Sequence, residues 1–429
     1  MIRVIEPVQS LAGSVKAPPD KSIAQRAALF SLLSDKETVI CNYPVAADPQ
    51  TALACIKMLG AKIEERDGSL TITGTGKTGL PKDAGTIDCG NSGTTMRLLA
   101  GIIAGSGTGA ILTGDASLSK RTMKRIIDPL RKMGAEIRAA EGDFAPLQFM
   151  PGKPLTGIDF KLPVASAQLK SCMLLAGLFT NGTTVIEPVP SRNHTEKMLN
   201  LKTEAGADGL KIHSSRNHPI PVLDITIPGD FSSAAFWLVA GVIYPDSEIV
   251  VKETGLNPTR SGALEILKRM GADITIGNES RTGAEPIGDL RVISSKLNPT
   301  RILPEEIPNC IDELPVLAVA MAFADGISTF RGAAELRHKE CDRINAVASM
   351  LKSAGAEVIE FEDGLEIHGN PGLIPQPSNY NSYHDHRIAM ASAILAGMGH
   401  GSSSIEHAEA VNVSYAEFWE HFDNLAGRV

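Results

Sequence analysis

The sequence predicts an α/β fold of two domains, each with three similar repeat units whose sheets face outward over central helices. Three observations carry that expectation. The chain has 429 residues, more than one hydrophobic core usually serves, so two domains of roughly 200 residues each are the default. A helix-opening pattern recurs six times along it, and a second marker, an amphipathic segment ending in Gly-Ala, recurs at nearly the same spacing. Self-similarity at such a period means repeated supersecondary units, and it takes precedence over other fold readings.

The opening pattern is a polar or charged start followed by a run rich in Ala, Gly and Leu. It reads DKSIAQRAALFSLLS from Asp20, GNSGTTMRLLAGIIAG from Gly90, SAQLKSCMLLAGLF from Ser166, DFSSAAFWLVAGVIY from Asp230, DELPVLAVAMAFADG from Asp312 and DHRIAMASAILAGMG from Asp385. With Asn91 as the cap of the second, the starts lie 71, 75, 64, 82 and 73 residues apart. Small polar residues at a helix start leave the first backbone N–H groups open, and the helix dipole makes an anion their preferred partner. Each start alone reads as an ordinary N-cap; the recurrence favours anion binding. Arg97, one turn into the second of these helices, is expected to steady the site, to pair with a neighbouring carboxylate or to touch the ligand directly. The Gly-Ala markers place glycines at 60, 134, 206, 271 and 355, each expected to close a helix before a strand.

Only 44 residues remain after Asp385, too few for a whole unit, so the N-terminal segment IRVIEPVQSLAGSV is expected to add its strands to the last one. One domain is then residues 20–229 and the other is discontinuous, residues 1–19 plus 230–429, with crossings near Pro18-Pro19 and Pro228-Gly229. An anion-rich ligand in the cleft between the domains follows from this arrangement.

A formal net charge of -8 and only 4% aromatic residues argue against nucleic-acid binding. The longest wholly apolar runs, FWLVAGVIY and VLAVAMAFA, have nine residues each, far below the roughly 20 that span a bilayer. The opening MIRVIEPVQS has no signal core, and a cytoplasmic protein is expected. Six cysteines without a C-x-x-C pair suggest free thiols and no zinc site. HDHRIAM sets His384 and His386 beside Asp385 with no third ligand near in sequence, so no metal is expected, and no cofactor. ITGTGKTG at 72–79 lacks the first glycine of a phosphate loop, because position 71 is Thr71.

These residues resemble the EPSP (5-enolpyruvylshikimate-3-phosphate) synthase family over essentially the whole chain. Nine ordered motifs carry the resemblance: DKSIAQR at 20–26, GNSGTTMRLL at 90–99, GDASLSKRTMKR at 114–125, SAQLKS at 166–171, SRNHTE at 191–196, GDFSSAAF at 229–236, DELP at 312–315, RHKECDRI at 337–344 and HDHRIAM at 384–390. The resemblance implies an inside-out, enolpyruvyl transferase-like fold with three βαβαββ units per domain. It implies transfer of the enolpyruvyl group of phosphoenolpyruvate to the 5-hydroxyl of shikimate 3-phosphate through a tetrahedral intermediate, in chorismate biosynthesis. Ser166–Lys170, Arg192–Glu196 and Asn257–Arg260 look like the class II branch, associated with tolerance to the inhibitor glyphosate. Pro19 and Thr122 depart from the usual Gly and Pro at their positions. A monomer without nucleic-acid or membrane partners is expected.

The same resemblance implies the site. Lys21, Ser22, Arg26, Ser166, Ala167, Gln168, Arg192, Asp312 and Lys339 would hold shikimate 3-phosphate, and Lys21, Asn91, Gly93, Arg121, Gln168, Arg343 and Arg387 would hold phosphoenolpyruvate. Arg suits planar carboxylates and phosphates through its fork, and Lys supplies a point charge. Asp312 would take the hydroxyl proton while Glu340, with Lys21, delivers one to C3; the opposite assignment stays open. Two alternatives stand beside this reading. UDP-N-acetylglucosamine enolpyruvyl transferase shares the architecture but typically has Lys-Asn where this chain has Lys21-Ser22. A non-catalytic phospho-sugar binding protein would keep the cationic clamp and lose Asp312 or Glu340.

Overall fold

The computed structural model describes residues 1–152 and 154–428. It divides into two compact units: Pro19–Ile227 with Thr282–Glu285, and Met1–Pro18 with Pro228–Arg281 and Pro286–Val429. Among the described residues no helix is long and apolar enough to cross a membrane.

The first unit holds three four-stranded sheets of one topology. In the middle repeat, strand Asp83–Asp88 leads through helix Gly93–Ser106 to a parallel neighbour, Gly109–Thr113, and helix Lys124–Lys132 then leads to the antiparallel pair Ile137–Ala140 and Phe144–Phe149. This is a βαβαββ unit. Strands Asp159–Lys161, Thr183–Glu187, Lys202–Gly206 and Gly209–Ser214 repeat it. The remaining sheet takes Glu37–Cys41, Ser69–Thr73 and Lys62–Arg66 locally and borrows its parallel outer strand, Ile225–Thr226, from the far end of the unit.

In the second unit, Ala12–Lys16 pairs in parallel with Glu248–Gly255 and Ile2–Ile5 pairs antiparallel with Ser403–Glu406. The N-terminal segment therefore does not give all its strands to the last repeat: one completes the last sheet and the other completes the fourth. Among the described residues, the last sheet has three strands where the other five have four.

The helices Lys21–Ser31, Gly93–Ser106, Ala167–Gly177, Phe231–Ile243, Leu314–Ala322 and His386–Gly397 are buried along most of their length. Ala and Gly at their crossings explain how such helices pack inside sheets. A Cβ on Gly101 would lie 2.3 Å from the Cys172 carbonyl oxygen of the neighbouring helix, so the two backbones meet there.

Three expected features fall differently. Ser92, not Asn91, caps its helix, its Oγ accepting from Thr95 N at 3.1 Å; Asn91 is turned toward Asp115 and Arg121 instead. Asp312 starts no helix, because the helix begins at Leu314, has Pro315 in its first turn and lacks a side-chain cap. Gly206 lies within strand Lys202–Gly206. The short helix before it ends through Asn200, whose φ of 51° supplies the left-handed turn that Gly60, Gly134, Gly271 and Gly355 supply elsewhere.

Candidate active site

In the first unit, Asp20 caps helix Lys21–Ser31 through Ile23 N at 2.8 Å, which leaves Lys21 at the opening turn, paired with Asp48 at 3.0 Å. One turn on, Arg26 is 3% exposed. Its Nε donates to Thr195 Oγ1 at 3.0 Å, its Nη2 to Ser171 Oγ at 3.2 Å and its Nη1 to the Ser22 carbonyl at 3.1 Å. Burial, opposed by Glu196 and assisted by the like charge of Arg192, pushes the Arg26 guanidinium down to about 10. A buried cation beside a second cation is a place where an anion removes a cost rather than adding one.

At the next helix start, Asn91 donates to Asp115 Oδ2 at 2.7 Å and accepts from Arg121 Nη2 at 3.2 Å. Arg121 also donates to Ser117 Oγ at 3.2 Å, which fixes the loop that carries it. Three hydrogen bonds to Asp115, from Asn91 and from the backbone of Leu118 and Ser117, and the nearby Arg121 outweigh burial and hold its carboxyl below the usual range.

Without a ligand, the Gly93 N–H donates to the Asn91 carbonyl at 3.1 Å. What its missing Cβ leaves room for is Arg97, whose Nη1 would be 2.9 Å away. Arg97 uses that room to donate to Gln168 Oε1 at 2.6 Å, while Gln168 Nε2 donates to Thr94 Oγ1 at 2.9 Å. Arg97 and Thr94 together fix the orientation of the Gln168 amide. Ser166 caps the helix that begins at Ala167 and carries Gln168, accepting from Leu169 N at 3.4 Å. On the same helix, buried Lys170 bridges Glu187 at 2.8 Å and Glu196 at 2.7 Å.

In the second unit five expected residues form one connected cluster. Arg343 is 1% exposed and reaches three carboxylates: Asp385 Oδ2 at 2.7 Å, Glu340 Oε2 at 2.7 Å and Asp312 Oδ1 at 3.4 Å. Lys339 Nζ lies 3.5 Å from Asp312 Oδ1, and Arg387 Nη1 donates to the Asp312 carbonyl at 2.8 Å. Partial burial works upward on Glu340, but Arg343, then His386 and Lys339, hold its carboxyl far below the usual range. Burial raises Asp385 too, and Arg343 and His386 bring it below its ordinary value. Burial pushes the imidazole of His386 down to about 4, so it is neutral at pH 7 and its charge acts on Glu340 and Asp385 only in acid.

Sequence reasoning missed three supports here. Asp385 both caps helix His386–Gly397, accepting from Arg387 N at 2.9 Å, and grips Arg343. Glu313, fully buried, accepts from Arg260 Nη1 at 3.0 Å and from Ser232 Oγ, and lies 3.8 Å from Arg387. Arg260 reaches Asp230 at 3.0 Å as well. The signal was a carboxylate beside Asp312 in an otherwise apolar helix start, and the Arg of Asn257–Arg260.

Residues 5–422 match the EPSP synthase (3-phosphoshikimate 1-carboxyvinyltransferase) family. The chain belongs to the EPSP synthase family. The 3-phosphoshikimate 1-carboxyvinyltransferase of Salinibacter ruber is 47% identical over 99% of this chain and 100% of its own length. The solved structure of EPSP synthase from Acinetobacter baumannii superposes with a TM-score of 0.88 at 38% identity, covering 99% of this chain and 98% of that one. At 17% identity the enolpyruvyl transferase NikO from Streptomyces tendae shares the fold, with a TM-score of 0.76 over 99% and 97% of the two chains. Membership makes this chain an enzyme of enolpyruvyl transfer in aromatic biosynthesis, and the reading as a non-catalytic binding protein loses its ground.

Proposed function

We propose that the enzyme acts on one substrate pair, shikimate 3-phosphate and phosphoenolpyruvate, and that its residues divide the work as follows. Arg26, Arg192, Ser22, Ser166, Ala167 and Gln168, with Lys339, bind shikimate 3-phosphate. Lys21, Asn91, Gly93, Arg121 and Gln168, with Arg343 and Arg387, bind phosphoenolpyruvate. Asp312 takes the proton from the 5-hydroxyl as oxygen attacks C2 of phosphoenolpyruvate. Glu340, assisted by Lys21, gives a proton to C3, and the tetrahedral adduct then expels phosphate as the C3 methyl group returns a proton to a carboxylate of the site, which restores the double bond.

The observation that carries this reading is the Asp312–Lys339–Glu340–Arg343–Arg387 cluster, in which acid, base and clamp share contacts. It also states a condition. Glu340 without substrate is a carboxylate held by Arg343, the wrong form for an acid. Phosphoenolpyruvate brings anionic oxygens to Arg343, weakening its hold on Glu340 and adding negative charge nearby; both raise the proton affinity of Glu340. Binding of this substrate therefore prepares its own proton donor. The motif residues Arg192–Glu196 and Asn257–Arg260 support the class II branch and, with it, tolerance to glyphosate; a cytoplasmic monomer remains the expectation.

Phosphate release from phosphoenolpyruvate is the test, with shikimate 3-phosphate in one arm and UDP-N-acetylglucosamine in the other. Release only with shikimate 3-phosphate supports the assignment. Release only with the nucleotide sugar, or none with either, overturns it.

A further inference from the structure

We propose that His384, His407 and Glu409 bind one divalent transition-metal ion at the surface of the second unit, outside the cluster that acts on substrate. Strands Asn379–Asn381 and Ser403–Glu406 are parallel neighbours with Asn381 opposite Glu406, so the loops that follow them leave the sheet at the same end. His384 lies in the first loop and His407 opens the second. Their imidazole rings are stacked, with centroids 3.7 Å apart and planes tilted by 31°. Glu409 brings Oε1 to 3.9 Å from His407 Nδ1, and one ligand atom from each of the three residues lies within 4.8 Å of the others. Among the described residues this is the one such group of three. It escapes a search for nearby ligands in sequence, because His384 and His407 are joined only by the sheet.

The loops are held from behind. Buried Ser382 donates through Oγ to the His407 carbonyl at 3.2 Å, and Tyr383 N donates to Asn381 Oδ1 at 2.7 Å. His384 and His407 both have left-handed backbone, with φ of 58° and 54°, a conformation His tolerates better than most residues. The far oxygen of Glu409 accepts from the Met1 ammonium at 2.6 Å, which leaves Oε1 toward the rings.

Two imidazoles and a carboxylate suit Zn²⁺, Co²⁺, Ni²⁺ or Cu²⁺; Ca²⁺ and Mg²⁺ prefer oxygen alone. Donors about 2.0–2.2 Å from a tetrahedral Zn²⁺ lie roughly 3.3 Å from one another. Closing from 4.8 Å takes small rotations of side chains open to solvent, with water in the fourth position. A bound ion ties the loop before Asp385 to the loop after Ser403–Glu406 and so staples the start of helix His386–Gly397.

The test uses full-length, untagged, chelator-treated protein, titrated with Zn²⁺ by calorimetry and with Co²⁺ by visible absorption. The expected result is one equivalent of either ion and a Co²⁺ spectrum without a thiolate charge-transfer band. His384→Asn and His407→Asn, chosen because Asn keeps the left-handed backbone, abolish both signals while leaving the metal-free melting temperature unchanged. Should either fail to fold, Glu409→Gln weakens binding at least about tenfold. No binding by the wild type, or binding that all three substitutions leave intact, overturns the site.

Discussion

Arg343 holds three carboxylates with one guanidinium, and the consequence can be measured. Removing one partner of a buried ion pair leaves the others uncompensated, at about 3–5 kcal/mol. Arg343→Met is expected to lower the denaturant stability of the second unit by that order; a loss below about 1 kcal/mol would mean that the carboxylates find other partners. Asp312→Asn keeps the shape of the side chain and removes the base. Turnover should fall by about 10²–10⁴-fold with shikimate 3-phosphate still binding by calorimetry, and near-normal turnover would sink the role. At this scale the sequence was most informative through its resemblance: Asp312, Lys339, Glu340, Arg343 and Arg387 all sit in one cluster. What it could not disclose were relations set by folding. Asp385 reads as a plain cap until Arg343, 42 residues earlier, is seen against it. That Arg97 occupies the space beside Gly93 where a Cβ would stand is likewise visible only in the fold.

Helices that cross at backbone contact distance tolerate no added methyl group, and Gly101 is where that rule bites. Gly101→Ala sets a Cβ 2.3 Å from the Cys172 carbonyl, a backbone atom that moves only with its whole helix. The expected cost is about 1–3 kcal/mol in urea unfolding followed in the first unit; unchanged stability would show that the two helices can part freely. A second prediction concerns the turn Lys339–Asp342. Glu340 is lowered in the folded state, so its ion pair stabilises fully above its ordinary value of 4.5 and is lost as pH falls below that toward the folded value. The stability gap between wild type and Glu340→Gln should therefore be widest at neutral pH and close as pH drops below about 4.5; a gap that widens in acid would reverse the sign and refute the pairing. Helix positions were legible because Ala, Gly and Leu runs with polar starts are distinctive. Asp20, Ser166, Asp230 and Asp385 cap their helices as expected, but the second cap was not legible, because Asn91 and Ser92 are equally good caps by type, and Asp115 and Arg121 decide which one turns away. The third repeat's ending escaped because Asn200 does the work expected of a glycine.

For the whole chain, a repeat of constant length does not say which unit a strand joins. Parallel pairing needs only that a strand lie beside its partner, so the outer strand of a sheet can come from anywhere the chain passes. This is why Ile225–Thr226 completes the first sheet of its unit and Ala12–Lys16 completes the fourth. It also makes the N-terminal segment a structural part of the second unit. Ile5, Leu11 and Val15 are buried in that unit's core at 1%, 0% and 5% exposure. At about 2 kcal/mol for each such side chain, their removal forfeits roughly 6 kcal/mol, which is comparable to the 5–15 kcal/mol that holds a typical domain. Among the described residues, the core of the first unit contains none from this segment. Deleting residues 1–18 should therefore unfold the second unit alone. Limited proteolysis of the truncated chain is expected to digest residues 286–429 and leave a resistant fragment spanning Lys21–Ile227, with one calorimetric transition where the intact chain shows two. If the fragment is digested at the same rate as the rest, the units do not fold independently, and the borrowed strands matter less than the cooperativity of the whole chain.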